Sequence, residues 1–572
     1  MAASYSAQDL KQLLEQWWAQ APQAMVEGES GPELSAADQQ AMPIPAAASS
    51  ASQDQEQDPA GGESQRQLQI AEVMMLQLDV DDVAEAVLQQ FDAAEPESPV
   101  SDPVQSRLAQ QRREGLLAAW ARVEKQRWTR RRQQETSLED SCGSWIALWK
   151  KNYSISDPDS LATAYLLAVL AWQGRDGLQQ LTDAVVAVPP TNAQAVSLLF
   201  APLVFRDDLP AEVLYPKLLD AVGELGLATA VLDLGNFLYR QRDVRPHPAS
   251  ERVSSLAQLL SQVTQRLLQV EEDPVGAGLT AERLSEVIND SVGLVAALCD
   301  TLSLCGDSSV VGKIYPCLEV KHRRVQLESA TALAALGEET GKQRLVELAA
   351  EPVVRRRVLA YCQALGLLDK VEHKYKTDAA EAEAEMALWL SHPAHMGFAP
   401  FDVSVVDERE QYWPGYTEPV NCFLLRYSYP FEDQVYQNVG LVGPITHSFS
   451  VSLSLLPPED VYAVFAGWHV EHPEIYAIAF ADAGPLQRGT IAGLERRLQQ
   501  ESIEVDEACL LGHCLGRWAL IVRGQRADRG GWAIADNEDC VWLPDDAGFQ
   551  DFDASLAWYL HLGRKLLQEF NS

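Results

Sequence analysis

Histidines and cysteines near the C-terminus are the side chains of this sequence best suited to chemistry. His469 and His472 are three residues apart and share one face if a helix extends that far. A later segment adds Cys509, His513 and Cys514, so the two segments together hold enough ligands for zinc. However, a proline directly after His472 ends any helix there, and His513 and Cys514 point to opposite faces if their segment is a strand. Solvent-facing histidines and a buried cysteine are the alternative interpretation.

Other combinations of reactive side chains lack a supporting motif. Cys514 with His447 has the residue types of a nucleophile and its base, and His392 and His395 flank a proline in a connector. The sequence has no phosphate-binding loop, dinucleotide fingerprint, GxSxG elbow or HExxH helix. We therefore predict no catalytic residue, no cofactor and no metal, and the sequence favours a binding protein over an enzyme.

A basic segment at residues 104–134 holds the candidate partner-binding side chains. It carries nine basic residues against two acidic ones and has helical periodicity. One face is apolar and includes Leu116, Leu117, Trp120, Val123 and Trp128. The candidate partner-binding residues are Arg122, Lys125, Arg127, Arg130, Arg131 and Arg132. This helix could contact a polyanion or an acidic protein, or it could pair with the chain's own acidic N-terminus.

Composition limits the class of partner. The 572 residues include 45 basic and 82 acidic side chains, giving a net charge of −37. Such a charge argues against broad binding of nucleic acid or anionic membranes, because both require a basic surface. No secretory signal is visible, the apolar stretches are short for a membrane span, and the nine cysteines form no CxxC pair. We expect a cytoplasmic protein with reduced thiols and an unidentified protein partner.

The N-terminal residues 1–103 form an acidic segment that we expect to be largely disordered. It contains 19 acidic and two basic residues. Short helices are predicted at Ala7–Gln20 and within 66–92, whereas residues 21–64 have too few large apolar side chains to fold. The basic helix and a connector follow at 104–149.

Residues 150–372 are rich in Leu, Ala and Val and predict one helix after another. Helices end at Gly306, Gly337 and Gly366, with spacings of 31 and 29 residues. A period of about 30 residues is typical of a solenoid built from helix pairs. In such a repeat, we expect each glycine to adopt the left-handed conformation that ends a helix.

The last repeats resemble the bacterial HEAT-like repeat that is also found in phycobilin lyases. Val354 and Arg355 match the start of that pattern, and Leu365 with Gly366 match its end; the preceding copy departs from it at Gln326. The resemblance covers about residues 290–370. It implies an α-solenoid and a role in protein interaction, and it implies no catalytic residue.

A helix and linker at 373–399 lead to a region of different pattern at 400–572. Segments such as FDVSVVDERE, VNCFLLRYSY, VYQNVGLVG and HSFSVSLSL alternate as strands do, and helices and further strands follow. The sequence therefore predicts a multidomain protein with an α-helical solenoid of HEAT-like repeats, a C-terminal α+β domain and a partly disordered N-terminus. The whole arrangement resembles bacterial HEAT-repeat proteins that carry a C-terminal extension.

Three functions are consistent with this organisation. The first is an intracellular scaffold or adaptor that binds a protein on its solenoid surface. The second is an enzyme, or a ligand- or metal-binding protein, with its site in the C-terminal domain, where several tryptophans could line a pocket or simply form the core. The third is an adaptor that binds a polyanion through the basic helix, which the overall charge disfavours.

Overall fold

A computed structural model describes residues 5–20, 59–93, 103–134, 160–223, 225–274, 280–431, 434–470, 472–514 and 516–572. They belong to two compact units, Met1–Lys342 and Gln343–Ser572. The chain is mostly helical, and two antiparallel sheets lie in the second unit. Most of the segment predicted to be disordered and the connector after residue 134 lie outside the described residues.

Helices make up most of the described part of the first unit. Their bounds are α1 Ala7–Gln20, α2 Pro59–Met75, α3 Val80–Ala93, α4 Pro103–Gln133, α5 Leu161–Ala171, α6 Arg175–Ala187, α7 Ala193–Phe205, α8 Ala211–Leu214, α9 Leu225–Gln241, α10 Val253–Glu272, α11 Ala281–Cys305, α12 Val311–Ile314 and α13 Arg323–Ala335. Helix α14, Glu339–Glu347, contains the boundary between the units.

The helices predicted near the N-terminus are confirmed, with one correction. Helix α1 has the predicted bounds and packs against α2 and α3 through Leu10 and Leu14, which are buried. Helix α2 begins at Pro59, so residues 59–64 are helical where disorder was predicted. The predicted apolar face of α4 is buried throughout, because it packs against α2 and α5.

Alternate helices form a row in the rest of the first unit. Helices α5, α7, α9, α11 and α13 each pack against the next member of the row. Their Leu, Val and Ala side chains fill a continuous core, and Cys299 is buried there as a small apolar residue. Gly306 and Gly337 end α11 and α13 with φ of 71° and 96°, which confirms the predicted left-handed caps. The amide of Glu338 donates to the carbonyl of Leu333, as in a Schellman motif.

Helix α11 contains a long apolar segment. Its residues Arg283–Cys305 are long and apolar enough to cross a bilayer, and they are the one such segment among the described residues. More than half of this stretch is buried within the protein, as in the core helices of globular proteins.

The second unit contains both helices and strands. Its helices are α15 Pro352–Ala364, α16 Asp378–Ser391, α17 Pro458–His469, α18 Pro485–Gln500 and α19 Ala554–Phe570. Its strands are β1 Asp402–Gln411, β2 Val420–Phe431, β3 Gln434–Val442, β4 His447–Ser448, β5 Tyr476–Ala479, β6 Glu504–Cys514, β7 Arg517–Arg526, β8 Arg529–Ala535 and β9 Cys540–Pro544. The strands form two sheets, β1–β4 and β5–β9. Within each sheet, every strand pairs antiparallel with the next strand along the chain.

Helices α15 and α16, predicted as the solenoid end and a linker helix, belong to this second unit. Gly366 follows α15 with φ of 68°, again as predicted. Arg355, the arginine of the repeat pattern, is buried and donates to the carbonyl of Ala380 at 2.7 Å and to the carboxylate of Glu383 at 2.8 Å. It therefore joins α15 to α16.

The second unit is built in five layers. Helix α16 covers one face of sheet β1–β4. The other face packs against the helix pair α17 and α19, which also cover one face of sheet β5–β9. Helix α18 packs on the remaining face of that sheet. Each sheet is therefore apolar on both faces, which explains the long apolar runs in its strands.

Two glycines allow α17 and α19 to cross at close range. A Cβ atom on Gly563 would lie 1.7 Å from the carbonyl oxygen of Ala463. A Cβ atom on Gly467 would lie 1.9 Å from that of Tyr559. Backbone therefore packs directly on backbone between the two sheets, and only glycine fits at these positions.

The predicted strand HSFSVSLSL is wrong beyond its first two residues. Only His447 and Ser448 pair with β3. After them, the buried amide of Asn438 donates to the carbonyls of Phe449 and Val451 and accepts from the amide of Leu453. The Asn438 side chain bonds the backbone groups that would otherwise pair with β3. The segment therefore runs beside β3 without joining the sheet. Strand β5 was not predicted, because four residues are too short to show a period.

Candidate functional site

The predicted partner-binding residues lie on α4, and several of them contact other parts of the first unit. Arg122 forms an ion pair with Glu72 of the acidic segment, with Nε 3.1 Å from Oε1. Arg132 pairs with Asp207 at 2.7 Å. Arg127 is buried, pairs with Glu124 at 2.7 Å, and donates to backbone carbonyls in the turn between α2 and α3. Arg127 therefore serves packing within the chain.

Lys125 and Arg130 lie on the exposed side of α4 beside an aromatic cluster. The Nζ atom of Lys125 is 4.2 Å from the ring centroid of Phe205, a cation–π distance. Phe205 is 51% exposed, and its ring contacts Trp128 and Trp172 edge-on. Among the described residues, the side chain of Arg130 forms no ion pair.

A surface depression of about 460 Å³ follows this side of α4. The described residues that line it are Arg122, Lys125, Gln126, Thr129 and Arg130. Their spacing places them on one stripe of the helix. We call this stripe together with Phe205 the basic–aromatic surface.

The histidines considered as zinc ligands form hydrogen bonds with other residues and do not meet at one site. The described residues contain no group of three His, Cys, Asp or Glu side chains arranged to hold a metal. Nδ1 of His469 accepts from the indole of Trp413 at 3.1 Å, and Nδ1 of His472 accepts from the amide of Glu474. His513 bonds to the carbonyl of Glu474 at 3.0 Å. These contacts hold loops and strands together.

His447 belongs to an aromatic stack. Its ring lies 3.9 Å from Trp468 in a parallel arrangement and meets the edge of Trp389. Trp389 in turn stacks on His395 at 3.6 Å. Burial lowers the pKa of His447 to about 4. Cys514, its hypothetical partner, instead lines a pocket that contains His561.

This pocket, which we call the Asp536 pocket, is the most developed polar site of the second unit. Its volume is about 550 Å³. The end of β6, the start of β7, the β8–β9 turn and one side of α19 form its walls. The lining residues are Cys514, Arg517, Trp518, Ala519, Asp536, Glu538, Asp539, Trp558, His561, Lys565, Gln568, Glu569 and Ser572.

Asp536 is held rigidly where β8 ends. Its Oδ1 atom accepts from the backbone amides of Glu538 at 2.7 Å and Asp539 at 2.6 Å, which closes the turn to β9. Its Oδ2 atom lies 3.1 Å from Nζ of Lys565 and 3.5 Å from Nε2 of His561. The carboxylate therefore faces α19 in one fixed orientation.

Helix α19 supplies the other wall through His561, Lys565 and Glu569. These residues are four apart and share one face. Asp553 caps the helix, accepting from the amide of Leu556 at 2.8 Å. Trp558 fixes the helix against β6, where its ring fills the space that a side chain at position 512 would need.

Burial and hydrogen bonding set the charges in the pocket. Burial lowers the pKa of His561 to about 4, so its imidazole is neutral at neutral pH. Burial acts to raise the pKa of Asp536, yet the amides of Asp539 and Glu538 and the Lys565 ammonium together lower it, so this group is a carboxylate. Burial raises the pKa of Cys514 to about 11, so the sulfur is a thiol.

This combination of charges suits binding better than nucleophilic attack. A catalytic cysteine works as a thiolate, which a neighbouring cation or imidazolium stabilises. Here the thiol is protonated and His561 is neutral, while Lys565 donates to both Asp536 and Asp539. The pocket thus presents fixed charges and the indole ring of Trp558 to a ligand.

Sequence reasoning missed Asp536, His561 and Lys565. The available signals were a turn of consecutive polar residues directly after an apolar strand and a polar row at spacing four on an apolar helix. Among the tryptophans of the C-terminal region, Trp558 lines this pocket. Trp518 borders the pocket, but its ring packs against His513 and Tyr476 on the opposite face of the sheet. Trp413 and Trp532 are buried in the core instead.

Comparisons with known proteins add no relative. No protein-family model matches the chain. No curated protein and no solved structure matches it either.

Proposed function

We propose that this protein is a non-enzymatic scaffold that binds the acidic segment of a protein partner on the basic–aromatic surface. In this proposal, helices α5 to α13 form a solenoid of HEAT-like helix pairs. The row of alternate helices and the left-handed glycine caps at Gly306 and Gly337 support that architecture.

The observation that carries the proposal is the half-exposed ring of Phe205 beside the ammonium of Lys125. Aromatic side chains and arginines are enriched at protein interfaces, and this surface offers Phe205 and Arg130. Arg130 extends the cationic surface by one more turn of α4. A partner segment with carboxylates around one apolar side chain would match this pattern.

Overall charge makes the surface selective. The chain carries −37, so an extended polyanion such as RNA meets repulsion beyond the short basic stripe. Glu72 already neutralises Arg122. A short acidic segment that reaches only Lys125, Arg130 and Phe205 avoids most of that repulsion.

Affinity capture with charge-reversed variants tests this function. Full-length protein is used to capture partners from its source cells after cross-linking, and the captured proteins are quantified by mass spectrometry. The double variant Lys125→Glu, Arg130→Glu should lose a stoichiometric partner. The matched control Arg266→Glu, Lys313→Glu changes the same charge at exposed sites of the same unit and should retain it. A partner that both variants capture equally well, or captured material that nuclease treatment removes, would refute the proposal.

A further inference from the structure

We propose that the Asp536 pocket is a binding site for a small organic cation, an amine or guanidinium group on a short apolar body. The site lies within the second unit, so the proposal stands independently of the scaffold function. It rests on the pocket's buried polar groups, on its balance of charge and on the indole ring of Trp558.

The pocket has the character of a built site. Asp536 and His561 line it although only 5% and 7% of their surfaces are exposed. Backbone hydrogen bonds fix the Asp536 carboxylate, and the regular helix α19 fixes the imidazole. Its volume of about 550 Å³ lies in the range typical of small-molecule sites.

The balance of charge selects a cation. Four carboxylates line the pocket, those of Asp536, Glu538, Asp539 and Glu569. The cations opposite them are Arg517, which pairs with Glu538 at 2.6 Å, and Lys565. The Lys565 ammonium serves both Asp536 and Asp539, so one negative charge there is uncompensated. Glu569 forms no ion pair with any residue that the structure describes, so it adds a second uncompensated negative charge.

The apolar lining selects an organic ligand over a bare metal ion. Trp558 contributes an indole ring, an aromatic surface of the kind that attracts ammonium and guanidinium groups. Cys514, as a thiol, and Ala519 add apolar surface for the body of the ligand. His561 is neutral and therefore adds no positive charge that would repel a cation.

Calorimetry with three matched probes tests the proposal. Phenethylamine, 3-phenylpropionate and 3-phenylpropanol share an aromatic body and differ in charge. We expect full-length protein to bind phenethylamine and to bind the anion and the alcohol at least about tenfold more weakly. Preferential binding of 3-phenylpropionate would overturn the proposal, and so would the absence of phenethylamine binding up to millimolar concentration.

Two variants locate the binding. Glu569→Gln on the exposed last turn of α19 should weaken phenethylamine about two- to fivefold, the effect of one solvent-exposed charge. Asp539→Asn removes a second exposed carboxylate of the pocket and should weaken it by a similar factor. Asp551→Asn removes an exposed carboxylate of the same unit outside the pocket and should leave binding unchanged. Circular dichroism verifies that each variant is folded. Equal binding by Glu569→Gln, Asp539→Asn and the unmodified protein would place the amine elsewhere and overturn the assignment.

Discussion

Replacing Gly563 by alanine is predicted to separate α17 from α19 and to destabilise the centre of the second unit. The new Cβ atom would begin 1.7 Å from the carbonyl oxygen of Ala463, whereas real contacts of this kind stay above 3.0 Å. The helices must therefore move apart by about 1.3 Å. The obstacle is backbone, so no side-chain rotation can relieve it.

This displacement sets the free-energy cost of the substitution. Overpacking that shifts backbone costs about 3 kcal/mol, at the upper end of the usual range. Such a change raises the population of locally open forms about a hundredfold. Hydrogen–deuterium exchange of the peptides covering α17 and α19 measures this directly in the full chain.

Gly493→Ala on α18 is the matched control. A Cβ atom there meets nothing within 4 Å, so the substitution should stabilise α18 by up to about 1 kcal/mol through helix propensity. If Gly563→Ala leaves exchange in α17 and α19 as slow as in the unmodified protein, the close crossing of these helices is not present in solution.

Two further predictions follow from buried histidines and from the glycine caps. The second unit should lose stability as pH falls from about 6.5 to about 4, by up to about 3 kcal/mol per buried histidine, because His447 and His561 bind a proton at their ordinary pKa of 6.5 when unfolded but only near 4 when folded. The denaturant midpoint measured as a function of pH tests this. His561→Gln should flatten the profile, and the exposed control His373→Gln should not. A profile that His561→Gln leaves unchanged would contradict the burial argument. Gly337→Ala should speed exchange at the end of α13 by an amount equivalent to about 1 kcal/mol, since φ of 96° strains any side chain, whereas Gly312→Ala in α12 should not. Equal exchange in these two variants would show that position 337 is not left-handed.

Local patterns in the sequence were sufficient for most helices. The 3.6-residue period of α1 and α4 and the glycines at 306, 337 and 366 depend on neighbouring residues alone. The segment after β4 could not be predicted, because it is held by the side chain of Asn438, a residue of another strand. The unit boundary at Lys342 likewise depends on contacts that no composition shift marks.

The candidate sites were predictable to different degrees. The basic side chains of α4 stood out as a charge reversal within an acidic chain, but the burial of Arg127 and the position of Phe205 require the packing of α4 beside α7. The Asp536 pocket combines segments 25 residues apart along the chain, from Asp536 to His561. Only the stacking of α19 on sheet β5–β9 brings them together, and no sequence period encodes that layer order.

Site-specific photo-cross-linking tests the central claim most directly. A photoreactive amino acid at position 126, in the centre of the basic–aromatic surface, is compared with one at the exposed position 265 on α10. We predict that position 126 forms a covalent adduct with an acidic segment of one protein partner in cells, and that the adduct disappears when Lys125 and Arg130 are changed to glutamate. Adducts at position 265 only, or at neither position, would contradict binding at this surface.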